Sequence, residues 1–284
     1  MFYLSDSMID NLVKEDVPYL DLTTLLLGIG DRPGKIAFAT REPTLICGTE
    51  EVQKILEKSG AEVLQFTPSG SFLPPGTTFL EAQGTAAGIH TAWKVSQNLL
   101  EYASGIATRT KLLVDRARQV HPPIQILTTR KHFPGTKELS IKAIVMGGAW
   151  PHRLGLSETI LFFRQHLAFI GGIDQLGQRL AQLKARAPEK RIVVEAETYE
   201  EAVSLAKSGV EIIQLDKFKI EETSLIVKAI RKINPEIKIA AAGGVNVDNV
   251  AAVAATGVDM IVLSSVYFGK PADIRVDILP TGGF

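Results

Sequence analysis

The chain has 284 residues, of which 45% are hydrophobic and 22% are charged, proportions typical of a globular protein. Its 31 Lys and Arg residues balance 31 Asp and Glu residues, and no local basic block argues for a nucleic-acid-binding protein. The single cysteine, Cys47, excludes an intrachain disulfide and a CxxC metal site. Without a signal-peptide core or an apolar stretch long enough to span a bilayer, the sequence predicts a cytoplasmic protein.

The first hundred residues predict a small α+β layer. Ser5 or Asp6 can cap a helix whose apolar face holds Met8, Ile9 and Leu12. Short apolar runs broken by glycine and proline then predict strands at 35–39, 45–48, 63–66 and 78–82, with a helix over 50–58. We expect this layer to end near residue 105.

A helical pattern follows over 91–120, interrupted at Ser104-Gly105, and then strands and helices alternate. The predicted strands are the apolar runs at 124–127, 159–163, 192–194, 211–215, 238–242 and 260–263. Amphipathic stretches such as 199–207 and 225–233 separate them. Because no GxGxxG fingerprint opens a helix, the pattern favours a parallel βα barrel over an open dinucleotide-binding sheet.

In a parallel barrel, functional residues collect where each strand ends. Here the early strands end in Arg130, Lys131 and Arg164, and the last two end in Gly243, Gly244, Ser264 and Ser265. The middle strands end in Glu195 and Glu197 and in Asp216 and Lys217. A charged residue at one strand end is as often a solvated loop residue. The set as a whole favours a functional site.

The late strand ends match the phosphate site that barrels build from their last two strands. Backbone N–H groups approach a phosphate most easily where Cβ atoms are absent, as at Gly243-Gly244. The alternative is a plain turn before a helix over 246–255. Glu195 and Asp216 suit a hydrated Mg²⁺, which takes few carboxylates and shares itself with substrate phosphates. We therefore predict a phosphorylated, polyanionic substrate.

A second dense stretch places His152-Arg153 after the Gly147-Gly148 turn. The Arg153 guanidinium offers a planar fork for a carboxylate, and His152 adds another donor. A lone histidine is more often a packed or surface residue, which is our interpretation of His166. The pair is predicted to bind an anion.

These motifs resemble nicotinate-nucleotide pyrophosphorylases, also called quinolinate phosphoribosyltransferases, over nearly the whole chain. The motifs that carry the resemblance are Asp21-Leu22-Thr23-Thr24, Ser104-Gly105-Ile106-Ala107-Thr108, Thr129-Arg130-Lys131 with Pro134-Gly135, Gly147-Gly148 with His152-Arg153, Glu195, Leu215-Asp216 and Gly243-Gly244. Within the family, 157–161 and 264–268 resemble the ModD branch, which is named for its association with molybdenum transport.

The resemblance implies an N-terminal α/β sandwich domain over 1–105, to which the tail 271–284 can return. It implies a TIM-like parallel (β/α) barrel, complete or incomplete, over 106–270. The implied enzyme transfers ribose 5-phosphate from phosphoribosyl pyrophosphate with Mg²⁺, and forms a homodimer or higher homo-oligomer. Its substrates are small molecules, with no nucleic acid or membrane as partner.

The resemblance also assigns roles to individual residues. Glu195 and Asp216 are expected to be catalytic and to hold the metal, and Lys131 to face the pyrophosphate. The expected acceptor-binding residues are Arg130, His152, Arg153, Phe163 and, from the other subunit, Lys94, and the phosphate-binding residues are Gly243, Gly244, Ser264 and Ser265.

The sequence departs from the quinolinate enzymes at the acceptor pocket. Phe163 aligns with an anion-binding lysine, and Lys94 aligns with the arginine that crosses the dimer. His132 replaces a threonine, and the late segments 240–242 and 264–268 differ from the family's phosphate-side residues. These departures favour a less charged aromatic acid over quinolinate, unless Phe163 is merely barrel core.

Two other functions remain open from the sequence. One is a non-catalytic protein that binds a phosphometabolite or an oxyanion and is linked to molybdenum uptake. The other is a barrel aldolase or isomerase that uses Lys131 as a Schiff-base amine. The adjacent Arg130 and the Glu195/Asp216 pair argue against the second.

Overall fold

The structure, a computed structural model, describes residues 5–281 and contains two compact units. Among the described residues, the first unit comprises 5–111, 133–147 and 269–281, and the second comprises 112–132 and 148–268. Residues 133–147 thus belong to the first unit, although they lie inside the range 106–270 that the sequence analysis assigned to the barrel.

The first unit is built on a four-stranded antiparallel sheet in the order β13-β1-β5-β3. Its strands are β1 (Pro33–Thr40), β3 (Glu62–Phe66), β5 (Thr78–Thr85) and β13 (Ile274–Pro280), while β2 (Thr44–Leu45) and β4 (Phe72–Leu73) pair separately. Strand β13 comes from the C-terminal tail and pairs with β1. Ile36 and Phe38 are fully buried and alternate with the more exposed Lys35 and Ala37, as expected for one face of a strand.

Among the described residues, five helices belong wholly or partly to this unit. They are α1 (Asp6–Asp16), α2 (Leu22–Leu27), α3 (Thr49–Lys58), the first part of α4 (Ala86–Val120) and α5 (Lys137–Met146). Of these, α1, α3 and α4 bury apolar residues in the core cluster of the sheet. The Ser5 hydroxyl accepts a hydrogen bond from the Met8 N–H, which confirms the predicted N-cap of α1. Ile9 of α1 is buried in the same cluster as Ile55 and Leu100.

The predicted interruption at Ser104-Gly105 is wrong, because α4 runs unbroken through both residues. The buried Ser104 hydroxyl bonds to the backbone N–H and carbonyl of Cys47, at 3.0 and 3.3 Å. A Cβ at Gly105 would lie 3.0 Å from the Ala272 nitrogen. The two small residues therefore mark close packing rather than a helix break.

A buried ion cluster holds α5 in the first unit. The Lys142 ammonium lies 2.7 Å from a Glu50 carboxylate oxygen and 2.5 Å from one of Glu51. The side chains of Lys142 and Glu51 are each only 5% exposed. Burial alone would raise the pKa of Glu50, but hydrogen bonds from Lys142 and Ser69 lower it to about 2. These pairings explain why a segment that follows the first barrel strand packs with the N-terminal layer.

The second unit contains a seven-stranded sheet in the order β7-β6-β12-β11-β10-β9-β8, with every described pair parallel. The strands are β6 (Gln125–Thr128), β7 (Trp150–Pro151), β8 (Ile160–Phe162), β9 (Ile192–Ala196), β10 (Ile212–Asp216), β11 (Lys238–Ala242) and β12 (Met260–Leu263). Strands β7 and β8 are consecutive in the chain but lie at opposite edges, so the barrel is incomplete. The predicted α/β fold with a TIM-like barrel is confirmed.

The end of one helix precedes the strands of this unit, and the other helices lie between or after them. In chain order, the helices are the end of α4, then α6 (Arg164–Ala168), α7 (Ile173–Arg186), α8 (Tyr199–Ser208), α9 (Ile220–Ile233) and α10 (Val250–Ala254). The helix predicted over 246–255 is wrong in its first turn, because α10 begins only at Val250. A 3-10 turn covers Ser265–Tyr267. Across residues 5–281, none of the helices has the length and hydropathy needed to cross a bilayer.

Candidate active site

The register of the parallel strands brings the predicted carboxylates onto one face of the sheet. Glu195 of β9 lies beside Gln214 of β10, and Asp216 of β10 lies beside Ala242 of β11. Registered residues on neighbouring strands project to the same face. Glu195, Gln214 and Asp216 therefore point to a common side near the strands' carboxyl ends.

A cavity of about 840 Å³ opens at these carboxyl ends, entirely within the second unit. Eleven of the twelve predicted site residues line it, namely Arg130, Lys131, His152, Arg153, Phe163, Glu195, Asp216, Gly243, Gly244, Ser264 and Ser265. Gln214 and Lys217, which the sequence analysis did not assign to the site, line it as well. The cavity joins cations, carboxylates and small residues from six strand ends.

The cationic side of the cavity carries two arginines and a histidine. Burial and the neighbouring Arg130 lower the pKa of Arg153. Burial and the charge of Arg153 lower the pKa of His152 to about 4, so its imidazole is neutral near pH 7. His152 can therefore donate or accept a hydrogen bond, while the guanidinium groups supply the positive charge.

Phe163 forms an aromatic wall of the cavity. The Arg153 guanidinium carbon lies 5.8 Å from its ring centroid, within the range of a cation–π contact. The His166 ring also stacks on Phe163, with the two ring centroids 5.8 Å apart and an interplanar angle of 21°. The Phe163 N–H also donates to His166 Nδ1 at 3.0 Å, so the exposed His166 packs against this wall, in agreement with its interpretation as a packed or surface histidine.

The two carboxylates face different partners. Glu195 accepts a hydrogen bond from the Gln214 amide at 2.8 Å, and Asp216 lies 2.8 Å from the Lys217 ammonium. Burial and the nearby Asp216 charge raise the pKa of Glu195.

Glu195 and Asp216 fit a Mg²⁺ ion that is coordinated partly by the protein and partly by a substrate phosphate. Within residues 5–281, no cluster of three or more His, Cys, Asp or Glu side chains is arranged to hold a metal alone. Mg²⁺ typically takes one or two carboxylates and completes its shell with water and phosphate oxygens. The donor set of Glu195 and Asp216 matches that requirement when a phosphorylated substrate is present.

The end of β10 explains why residue 243 must be glycine. Lys217 has φ +60°, the only positive φ among the non-glycine residues at 5–281. Its N–H donates to the Ala242 carbonyl at 2.8 Å, and a Cβ on Gly243 would lie 2.9 Å from the Lys217 nitrogen. Gly243 is thus required by packing, whereas a Cβ on Gly244 would meet no described atom within 4 Å. The backbone at Gly244 is open to a ligand.

The serine pair differs in hydrogen bonding. The Ser264 hydroxyl bonds to the Thr129 hydroxyl at 2.7 Å. The Ser265 hydroxyl is buried and has no partner in the described part of the chain, although the residue lines the cavity. Helix α10 has five residues and the 3-10 turn has three, so neither is long enough to offer a helix N-terminus. The groups that this part of the cavity presents are the loop backbone and the Ser265 hydroxyl.

Lys94 belongs to the first unit. It is exposed on α4, where its ammonium lies 3.2 Å from the Gln97 side-chain oxygen. Its assignment to the acceptor site of a second subunit stays a prediction.

Comparison with known proteins covers both units. The family model for the N-terminal domain of quinolinate phosphoribosyl transferase matches residues 21–104, and the model for the C-terminal domain matches 106–277. The "Putative pyrophosphorylase ModD" of Rhodobacter capsulatus is 39% identical over 253 residues, covering 88% of this chain and 96% of that protein. The carboxylating nicotinate-nucleotide pyrophosphorylase of Mycobacterium leprae is 31% identical over 272 residues, covering 94% of each chain.

A solved structure has the same fold. The crystal structure of nicotinate-nucleotide pyrophosphorylase from Ehrlichia chaffeensis superposes with a TM-score of 0.88 at 26% identity. The match covers 98% of this chain and 100% of that chain.

Proposed function

Because this chain belongs to the quinolinate phosphoribosyltransferase family, we propose that it is a ModD-like phosphoribosyltransferase. The reaction transfers ribose 5-phosphate from phosphoribosyl pyrophosphate to an aromatic acid or a related acceptor and releases pyrophosphate. The observation that carries this proposal is the single cavity that combines arginines, a carboxylate pair and an open Gly-Ser loop.

The 5′-phosphate of the donor binds at the late strand ends. The Ser265 hydroxyl is buried without a partner and is available to donate to a phosphate oxygen. The free space beside Gly244 lets a phosphate approach its backbone N–H. Both features lie in the same lining of the cavity.

The pyrophosphate binds between Lys131 and the carboxylate pair, which line the same cavity. The exposed Lys131 ammonium supplies a positive charge there. Glu195 and Asp216 would hold Mg²⁺, and the chemistry that the ion supplies when bound is neutralisation of the pyrophosphate's charge.

The acceptor binds against Phe163 and the arginines. Arg130 and Arg153 provide forks for one carboxylate, and the neutral His152 adds a hydrogen bond. The Phe163 ring offers a flat surface for stacking on an aromatic ring. A second acceptor carboxylate would lack a cation at position 163, which supports an acceptor less charged than quinolinate.

The chemical step is displacement at the anomeric carbon. The bond to the pyrophosphate oxygen breaks with its electron pair, and the acceptor's nucleophilic atom forms the new bond to that carbon. The charges of Glu195 and Asp216 stabilise the positive ribosyl group that develops between these events. The protein thus contributes positioning and electrostatics rather than a covalent nucleophile.

We further propose that the protein functions as a homodimer in which Lys94 of a second copy completes the acceptor site. Helix α2 presents Leu22, Leu25, Leu26 and Leu27 at its surface, each more than half exposed. A contiguous apolar surface of this kind is typical of an interface. This exposure supports self-association through the first unit.

An acceptor screen tests the proposed function. The purified chain, Mg²⁺ and phosphoribosyl pyrophosphate are combined with a panel of pyridine and other aromatic mono- and dicarboxylic acids. We expect an acceptor-dependent release of pyrophosphate and a ribonucleotide product whose mass equals that of the acceptor plus ribose 5-phosphate, less any CO₂ lost. Ligand binding without turnover on any acceptor would instead favour a phosphometabolite- or oxyanion-binding protein.

A further inference from the structure

We propose that Gln214 binds a ribose hydroxyl of the substrate through its side-chain carbonyl while its amide nitrogen positions Glu195. The identity of the sugar rests on the proposed function. The hydrogen-bonding role of Gln214 rests on the geometry of the cavity.

Gln214 is a polar residue in the middle of a buried strand. Its neighbours in β10, Ile213 and Leu215, are apolar and buried, and Gln214 itself is only 5% exposed. A buried amide is costly unless both of its ends are hydrogen-bonded. Packing alone would have been satisfied by an apolar side chain at this position.

Only one end of the Gln214 amide has a partner in the described part of the chain. The nitrogen donates to a Glu195 carboxylate oxygen at 2.8 Å. The carbonyl oxygen is buried and accepts no hydrogen bond from residues 5–281. Reversing the amide would set the carbonyl oxygen against the Glu195 carboxylate, so the carboxylate fixes this orientation.

The neighbouring strand leaves room for a ligand at this end. The residue registered with Gln214 on β11 is Ala240, and Asp216 is registered with Ala242. Alanine side chains neither fill the space nor supply a donor. Because Gln214 lines the cavity, we infer that a ligand bound there reaches its carbonyl oxygen.

The Gln214 carbonyl oxygen requires a hydrogen-bond donor from the ligand. A carbonyl oxygen accepts hydrogen bonds, so a phosphate or carboxylate oxygen cannot satisfy it. A hydroxyl can, and the adjacent Glu195 carboxylate accepts from a second hydroxyl. Two hydroxyls on neighbouring carbons, as in ribose, match this pair of acceptors and place the sugar between the 5′-phosphate loop and the carboxylates.

The test measures binding without catalysis. Isothermal titration calorimetry compares ribose 5-phosphate with 2,3-dideoxyribose 5-phosphate on the wild type and on Gln214→Met, which has a similar volume and no amide. We expect the variant to bind ribose 5-phosphate on the order of tenfold more weakly and the dideoxy sugar with unchanged affinity. Gln125→Met, a glutamine outside the cavity lining, should leave both affinities unchanged.

Repeating the comparison in a Glu195→Ala variant distinguishes direct binding of the sugar by Gln214 from an effect of Gln214 that acts through Glu195. In Glu195→Ala, the change Gln214→Met should still weaken ribose 5-phosphate selectively, because Gln214 contacts the sugar itself. The single variant Glu195→Ala should still bind ribose 5-phosphate more tightly than 2,3-dideoxyribose 5-phosphate, with a smaller difference than in the wild type. This measurement does not require a Gln214 variant to fold.

Equal losses for both sugars, no loss, or no binding of ribose 5-phosphate would overturn the inference. So would a selective loss that disappears in the Glu195→Ala background. If pyrophosphate is released in the acceptor screen but one of these results is obtained, only the role of Gln214 fails. If Gln214→Met selectively weakens the binding of ribose 5-phosphate but no acceptor supports turnover, the proposed catalysis is wrong and the sugar-binding site is retained.

Discussion

At two cavity residues, Phe163 and Lys217, the surrounding structure fixes the conformation. The Phe163 ring contacts both the Arg153 guanidinium and the stacked His166 ring. Lys217 is held in a left-handed backbone conformation that costs a non-glycine residue about 1–2 kcal/mol. Strained backbone of this kind persists where the surrounding structure enforces it, commonly at functional sites.

Replacing Phe163 by lysine tests whether this ring excludes a second acceptor charge. We expect Phe163→Lys to raise the ratio of kcat/KM for a dicarboxylate acceptor over a monocarboxylate acceptor by on the order of tenfold, because the new cation pairs with a carboxylate that otherwise loses its hydration. Steady-state kinetics with matched pyridine acids measures the ratio.

Phe169→Lys is the matched control, since Phe169 is 93% exposed and is not part of the cavity lining. It should leave the ratio unchanged. A folded Phe163→Lys variant with an unchanged ratio would place residue 163 outside the acceptor pocket.

The residues that could be predicted from sequence were those with a charge or a glycine at a strand end. Gln214 gave no such signal, because its hydrogen bond to Glu195 depends on a register between two strands. The contact between His166 and Phe163 gave no sequence signal either. The stacking appears only when the short helix α6 turns His166 back toward the end of β8.

At the scale of elements, the central strands of the second unit were the most predictable. Strands β11 and β12 have the predicted bounds, because buried parallel strands read as continuous apolar runs. The two-residue strand β7 was missed, since so short a strand has no detectable periodicity. The division of α5 from the barrel could not be predicted either, because it depends on ion pairs between residues about ninety positions apart.

The Lys142 cluster predicts a large loss of stability on removal of its cation. Lys142→Met should lower the free energy of unfolding by about 3 kcal/mol, because Glu51 is left as a buried charge without its partner. Denaturant unfolding followed by circular dichroism measures the change. Lys137→Met, on an exposed position of the same helix, should change it by less than about 0.5 kcal/mol. Equal effects of the two variants would show that the cluster does not stabilise the fold.

In the molecule as a whole, the cavity lies in the second unit, whereas Lys94 and the exposed leucines of α2 lie in the first. The proposed homodimer combines the cavity of one copy with Lys94 of the other. A shared site between two copies is expected to show complementation. Mixing Lys94→Ala subunits with Arg130→Ala subunits should restore part of the activity, because one site of the heterodimer then carries neither change.

The control mixes Lys94→Ala subunits with subunits that carry both changes, a combination that regenerates no intact site. Activity should stay at the level of the separate variants. If exchange of subunits is demonstrated by mass spectrometry and the Lys94→Ala and Arg130→Ala mixture recovers nothing, each site is complete within one copy.

The proposed function requires that the carboxylates of the second unit's cavity serve phosphoribosyl transfer. The most direct measurement is steady-state pyrophosphate release by Asp216→Asn and Glu195→Gln, beside Asp248→Asn as an exposed control outside the cavity lining. We expect each cavity variant to lose on the order of 10²-fold in kcat with its unfolding midpoint little changed, and the control to match the wild type. Near wild-type turnover in both cavity variants would contradict the account.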